Sequence, residues 1–269
     1  RTEIAGNHTD HNHGRVVAAS VNMDVIAVVS ANESGSVKIK SKGYPMDTVE
    51  LSDLDAKASE ENKAISLIRG TLSRFVQKGH AVGSFDAYTT SNVLKGSGLS
   101  SSAAFEVLVG TILSHLYNEG SVDAVEIAKY AQYAENVYFG RPSGLMDQMA
   151  SSVGSVITID FADTENPIIE KIDFDMEAMG CALCIVDVGG NHADLTHEYA
   201  AIPTEMKEVA GFFGRDVLRG VSYRELIANA SRIRAQFGDR AFLRAVHFVK
   251  ENERVGAIVN ALRDKDYSC

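Results

Sequence analysis

The segment LKGSGLSSSAAFEVLVGTILSHLY (94–117) constrains this chain more than any other. Two glycines, Gly96 and Gly98, are followed by three consecutive serines, and these lead directly into an apolar run. From 101 to 117 the run predicts a helix apolar enough to be largely buried. Glycine lets the backbone adopt unusual dihedrals and come close to a ligand. Serine is a good N-cap, and a helix start offers unpaired N–H donors and the positive end of the dipole. Together these features make a phosphate cradle. It is not a Walker A loop, because G-x-x-x-x-G-K-[ST] is absent. An ordinary Gly/Ser turn capping a buried helix has the same composition.

The surrounding pattern is mixed. RVVAASVNMDVIAVVSAN (15–32) is β-branched and apolar and predicts strand, and SVKIKS (36–41) alternates as an edge or half-exposed strand does. The polar stretch 44–63 reads as loop. AISLIRGTLSRFVQKG (64–79) has helical period with Gly79 as its C-cap. A strand is expected over 85–93, a helix over 122–140 and a short helix within 144–154. SVITIDF and IIEKIDF read as a strand pair and CALCIVDV as a third, buried strand. From His197 onward the chain reads as amphipathic helix. This order predicts an α+β fold rather than a regular βαβ array, with a boundary near 175–180.

Composition excludes several classes. The chain of 269 residues is 45% hydrophobic and 23% charged, with a formal net charge of −10. That acidity argues against nucleic acid as a partner. No run is long enough to span a membrane and no signal peptide is found at the start. With three cysteines, a secreted disulfide framework is not expected, so a reducing cytoplasm is the expected location. Cys181 and Cys184 form a C-x-x-C inside the expected strand and read as core packing rather than as a redox or metal pair.

Two further segments carry chemistry. GNHTDHNHG (6–14) places His8, Asp10, His11 and His13 within six positions, a density that suits zinc or catalysis. GRPSGLMDQMASS (140–152) places Asp147 on a short helix among Leu145, Met146 and Met149, as a structural hydrogen-bonding group or as a general base. Glu135, on the preceding helix, reads by itself as a solvated carboxylate.

Taken in order, RTEIAGNHTDHNHG, LKGSGLSSSAA and GLMDQMAS resemble the signature, the ATP-phosphate loop and the catalytic-aspartate segment of galactokinases, within the GHMP kinase superfamily. HEY (197–199) and RAVHFVKENERV (244–255) are similar as well. The resemblance implies a ribosomal-protein-S5-domain-2-like domain at 1–178 and a ferredoxin-like domain, incomplete, at 179–269. It implies ATP-dependent phosphorylation of galactose at the anomeric C1 hydroxyl. Asp147 would face that hydroxyl, with Arg1 beside it. Asn7, His8, Asp10, Gly144 and Tyr199 would contact the sugar, in one cleft with Arg1 and Asp147. Gly96, Ser97, Gly98, Leu99, Ser100, Ser101, Ser102 and Ala103 would hold the nucleotide, and Ser102 and Glu135 would ligate Mg2+. HTDHNH then becomes a sugar-binding segment and not a zinc site.

The sequence departs from the family's pattern at several places. Asn7 stands where galactokinases usually have Glu, which keeps N-acetylgalactosamine, arabinose or another sugar in view as substrate. His11 replaces Tyr, Leu94 replaces Pro, and AAIPTEM after Tyr199 lacks an expected arginine and cysteine. The superfamily's third, glycine-rich motif does not occur, so the chain is expected to be a piece of a longer protein. A non-catalytic sugar sensor would tend to lose part of the phosphate loop, yet Ser100 to Ala104 and Asp147 are all present.

Overall fold

The computed structural model describes residues 1–93, 98–141, 143–178, 180–184, 186 and 196–266. Their contacts gather into two compact units, Arg1 with Ser20–Gly154, and Thr2–Ala19 with Ser155–Cys269. The chain opens with two strands, β1 (Thr2–Ala5) and β2 (Arg15–Ala19), that belong to the second unit.

The first unit holds β3 (Val25–Ala31), β4 (Ser36–Ser41), β5 (Met46–Glu50) and β6 (Phe85–Ser91) in the order β3-β6-β4-β5. β4 runs parallel to β6 and the other pairs are antiparallel. Its helices are α1 (Ala64–Gln77), α2 (Ser101–Tyr117), α3 (Ala124–Tyr133) and α4 (Met146–Val153). Strand alternation turns Val37, Ile39, Val49, Phe85 and Ala87 to one face. There they share a core with Leu72 and Phe75 of α1 and Val109 and Leu113 of α2. Ile26, Val28 and Tyr88, the alternate residues of β3 and β6, are exposed.

Several elements depart from expectation. The apolar stretch 15–32 is two strands in two units, separated by Ser20–Asp24. β4 is an interior strand, because β5 covers its far edge. β5 lies inside the stretch read as loop. Only Val49 of its five residues is buried, so an edge strand here carries little apolar signal. α3 continues as a π-helical turn over Ala134–Phe139.

The second unit holds an antiparallel sheet, β1-β2-β7-β8, with β7 (Val156–Asp160) and β8 (Ile168–Ile172) as the expected strand pair. Its helices are α5 (Thr196–Phe212), α6 (Tyr223–Ala228) and α7 (Ala230–Asp264). α6 starts at a capping box of Ser222 and Glu225, and α7 is broken at Gly238, whose φ is 86°. Val255 and Val259 of α7 pack on Val17, Val156 and Ile172 of the sheet.

Cys181–Cys184, expected as part of a buried strand, carry no regular structure, and both thiols are exposed. Among the described residues, the sheet of this unit is formed by β1, β2, β7 and β8. The remainder of CALCIVDV falls partly outside the described residues. The expected division at 178 follows chain order. Packing cuts the chain differently, because β2 pairs with β7 and carries residues 2–19 to the later part of the chain.

Candidate active site

Asp147 lies in the first turn of α4, where the helix dipole favours a carboxylate. Arg1 approaches it as a fork, Nε to Oδ1 at 2.7 Å and Nη2 to Oδ2 at 2.6 Å. The Ser100 hydroxyl also donates to Oδ2. Arg1 is itself fixed to the glycine-serine turn, with Nη1 donating to the Gly98 carbonyl at 2.7 Å and its backbone nitrogen to the Leu99 carbonyl at 3.0 Å.

Ser100 stands at the N-cap of α2 in the left-handed region, φ 56°, and its side chain does not cap the helix. With that hydroxyl committed to Asp147, the first-turn N–H groups of α2 remain available to an anion. Gly98, Leu99, Ser100, Ser101, Ser102 and Ala103 are placed in this turn and helix start, whereas Gly96 and Ser97 lie outside the described residues.

Behind this turn lies an acidic cluster. Ser102 Oγ donates to Glu135 Oε1 at 3.3 Å, and Gln148 Nε2 donates to Glu135 Oε2 at 2.6 Å. Glu135 belongs to the π-helical turn and is only 4% exposed, against the solvated carboxylate its helix pattern suggests. π turns widen a helix and recur at functional sites. Burial pushes its carboxyl above the usual range, opposed by hydrogen bonds from Ser143 and Gln148 and by the Arg141 charge. Glu106 of α2 is also buried, and burial followed by the Glu135 charge pushes its carboxyl well above the usual range. Glu106 and Gln148 were not singled out from sequence. The available signal was a lone acid in the apolar helix AAFEVLVG, four residues after Ser102 and so on the same helix face.

In the second unit, HTDHNH forms a tight turn. Thr9 and Asn12 point inward and are fully buried. Thr9 Oγ1 donates to the Gly6 and Arg15 carbonyls, and Asn12 Oδ1 accepts the Leu218 N–H at 3.0 Å. Asp10 and His11 are half-buried, and Asp10 Oδ1 accepts the His11 N–H at 2.9 Å. The His8 and His11 rings stack with centroids 5.9 Å apart. Burial lowers the His8 pKa, and the His11 charge adds to the effect. Asn7 is exposed, with Nδ2 donating to Glu3 at 3.3 Å and its carbonyl accepting from His247 at 2.8 Å. Sequence reading also passed over Glu251, buried on α7, which accepts the Gly6 N–H at 2.8 Å and anchors the start of the turn.

Among the described residues, no group of three or more His, Cys, Asp or Glu is placed to hold a metal ion, and no helix is long and apolar enough to cross a membrane. Arg1 and Asp147 come together in the first unit, while Asn7, His8 and Asp10 belong to the second. Gly144 lies just before α4, and Tyr199 lies on α5 with its side chain outside the described residues.

Residues 66–155 match the GHMP kinases N-terminal domain, and residues 1–31 match the galactokinase galactose-binding signature. Over 266 residues the chain is 33% identical to a galactokinase of Streptomyces coelicolor, covering 99% of this chain and 68% of that protein. The chain belongs to the galactokinase family. Its relatives include a galactokinase of Actinobacillus pleuropneumoniae, 31% identical over 276 residues and covering 99% of this chain and 68% of that one. The fold is similar to the crystal structure of Lactococcus lactis galactokinase complexed with galactose, with a TM-score of 0.77 and 22% identity over 97% of this chain and 67% of that one. The α+β architecture is thus that of a GHMP kinase, and the family's members are phosphotransferases that use an alcohol group as acceptor.

Proposed function

We propose that the chain carries the ATP-dependent phosphorylation of galactose at its C1 hydroxyl, as a cytoplasmic enzyme of galactose metabolism. The observation that supports this most directly is the Arg1–Asp147 fork, tied by Ser100 to the start of α2. Phosphoryl transfer needs positioning and charge stabilisation more than covalent help from the protein. Asp147 accepts a hydrogen bond from the C1 hydroxyl and orients and polarises it. Arg1 fixes that carboxylate and offers its cation to the transferring phosphoryl group. The turn from Gly96 to Ala103 cradles the ATP phosphates. Asn7, His8, Asp10, Gly144 and Tyr199 take the sugar's other hydroxyls.

A hydroxyl and a buried carboxylate are hard oxygen donors, and Mg2+ binds through one or two such groups together with phosphates. Ser102 and Glu135 fit that ion, since Glu135 holds its carboxylate in a buried place where a cation would relieve it. When bound, Mg2+ neutralises charge on the phosphate oxygens.

The test is incubation of the complete protein with galactose, ATP and Mg2+, with the product read by phosphorus and proton NMR. A phosphate on the anomeric oxygen is expected. Phosphate on another oxygen, or ATP hydrolysis without sugar phosphate, would overturn the proposal. Asn7 favours a second reading, a kinase for N-acetylgalactosamine or arabinose, because a neutral, exposed amide stands where the family usually has a carboxylate.

A further inference from the structure

Gln148 follows Asp147 on α4 and has no exposed surface. Its Nε2 donates to Glu135 Oε2 at 2.6 Å and to Glu106 Oε2 at 3.3 Å. An amide nitrogen carries two hydrogens, so each carboxyl group takes one. Glu106 is fully buried too, and Glu106 Oε1 and Gln148 Oε1 lie buried with no hydrogen-bond partner among the described residues. Buried polar atoms left unpaired cost stability, and apolar side chains of the same volume would fill this space at lower cost. Packing alone therefore does not explain why an amide stands between two carboxyl groups at this point of the fold.

We propose that Gln148 is a positioning residue for the Ser102–Glu135 pair, with Glu106 anchoring the Gln148 amide from its other side. The inference rests on the reading of Ser102 and Glu135 as the pair that meets the metal and nucleotide. A carboxylate can rotate and present either oxygen. Here the Gln148 amide occupies Oε2, which leaves Oε1 as the oxygen turned to Ser102, 3.3 Å away. Ser143 adds a hydrogen bond to the same carboxyl, but from the loop before α4, and Arg141, 3.9 Å from Oε1, is exposed and too distant to set the orientation. Gln148 neighbours Asp147 in sequence, so one short helix places both the carboxylate that meets the acceptor hydroxyl and the amide that sets Glu135. Glu106 sits one helical turn beyond Ser102 on α2, and so ties the same amide to the helix that bears the serine.

The experiment uses the complete protein and Mn2+ with ADP as probe, with affinity read by electron paramagnetic resonance in the absence of turnover. Gln148→Met removes the amide and keeps the volume. Loss of an outer hydrogen bond to a metal ligand typically costs about 10- to 100-fold in affinity, and that loss is expected here. Galactose KM is expected to stay within about twofold, since no sugar contact is removed. Glu135→Gln is the control for the underlying reading. If Glu135→Gln leaves Mn2+–ADP affinity unchanged, the metal reading falls and this inference falls with it. If Glu135→Gln weakens binding and Gln148→Met does not, even with a lowered melting temperature, the inference alone is overturned. Should Gln148→Met not fold, Glu106→Met combined with Gln148→Met removes the buried carboxyl along with the amide and is read by the same criterion.

Discussion

Arg1 grips Asp147 by both carboxylate oxygens, Nε to Oδ1 at 2.7 Å and Nη2 to Oδ2 at 2.6 Å, although 146 positions separate them. The pair is partly enclosed, with Arg1 14% and Asp147 28% exposed at the side chain. Two N–H donors and the Ser100 hydroxyl hold the carboxylate in one orientation at the start of α4. The arrangement keeps an acceptor ready beside a cation, which is what a hydroxyl attacking a phosphoryl group requires.

Asp147→Asn is therefore expected to lower kcat by about 10²- to 10⁴-fold, the usual contribution of a positioned acid–base group. An amide of the same shape cannot take the hydroxyl's proton, but ground-state sugar contacts remain, so galactose affinity is expected to change by less than about threefold. Steady-state kinetics and calorimetric titration with galactose check both halves. Near-normal turnover would remove Asp147 from the mechanism.

Asp160, at the end of β7, gives a prediction about acid stability. Burial pushes its carboxyl up, but hydrogen bonds from Arg219 and Arg15 and from the Ala162 N–H outweigh that and hold it at about 2. A carboxyl depressed in the folded state contributes stability that is complete above its unfolded value of about 4 and fades as pH falls toward the folded value. Wild-type stability is expected to fall from about pH 4 to pH 2, and Asp160→Asn to flatten that part of the profile. Denaturant titrations at several pH values measure it, and an unchanged slope in Asp160→Asn would count against the assignment.

The α2 boundaries and the short helix that carries Asp147 were legible in the sequence because each is written in a short, contiguous stretch. Glu135 was not, because it sits on the π-helical turn that follows α3 and meets Ser102 of α2 and Gln148 of α4, contacts its helix's own period does not announce. Gln148 and Glu106 meet across 42 positions, a contact no periodicity announces. β5 was missed because an exposed edge strand needs few apolar residues, and Cys181 and Cys184 were read as core packing although both thiols are exposed. The stretch 15–32 kept its strand character, but nothing local says that its halves pair in different sheets.

Gly6 opens the HTDHNH turn with φ +100°, and an added Cβ would lie 2.5 Å from the Arg15 carbonyl oxygen and 2.6 Å from Val16 Cα. Both are backbone atoms of β2, held in register against β7. Gly6→Ala is expected to cost about 3 kcal/mol or more, combining backbone strain with an overlap that no rotamer relieves. Equilibrium unfolding in urea measures it. A loss below about 1 kcal/mol would show that the turn can adopt another backbone path.

Asn7 is the position at which sugar choice is expected to turn. Its side chain is exposed and its amide donates to Glu3, whereas a carboxylate there would only accept. Polar groups that pair with one epimer and are stranded by another set specificity among sugars. Asn7→Glu would also bring a second negative charge toward Glu3, so the introduced side chain is expected to turn away from it. The measurement is kcat/KM for galactose, N-acetylgalactosamine, arabinose and glucose with the complete protein and with Asn7→Glu. Galactose is expected among the best substrates of the wild type, and Asn7→Glu is expected to sharpen the preference by about 10-fold, the worth of one hydrogen bond to a charged group. The phosphoryl-transfer residues are untouched by this exchange, so kcat with galactose is expected to stay within about threefold. If galactose ranks below the other sugars in the wild type, the substrate assignment fails while membership of the phosphotransferase family stands.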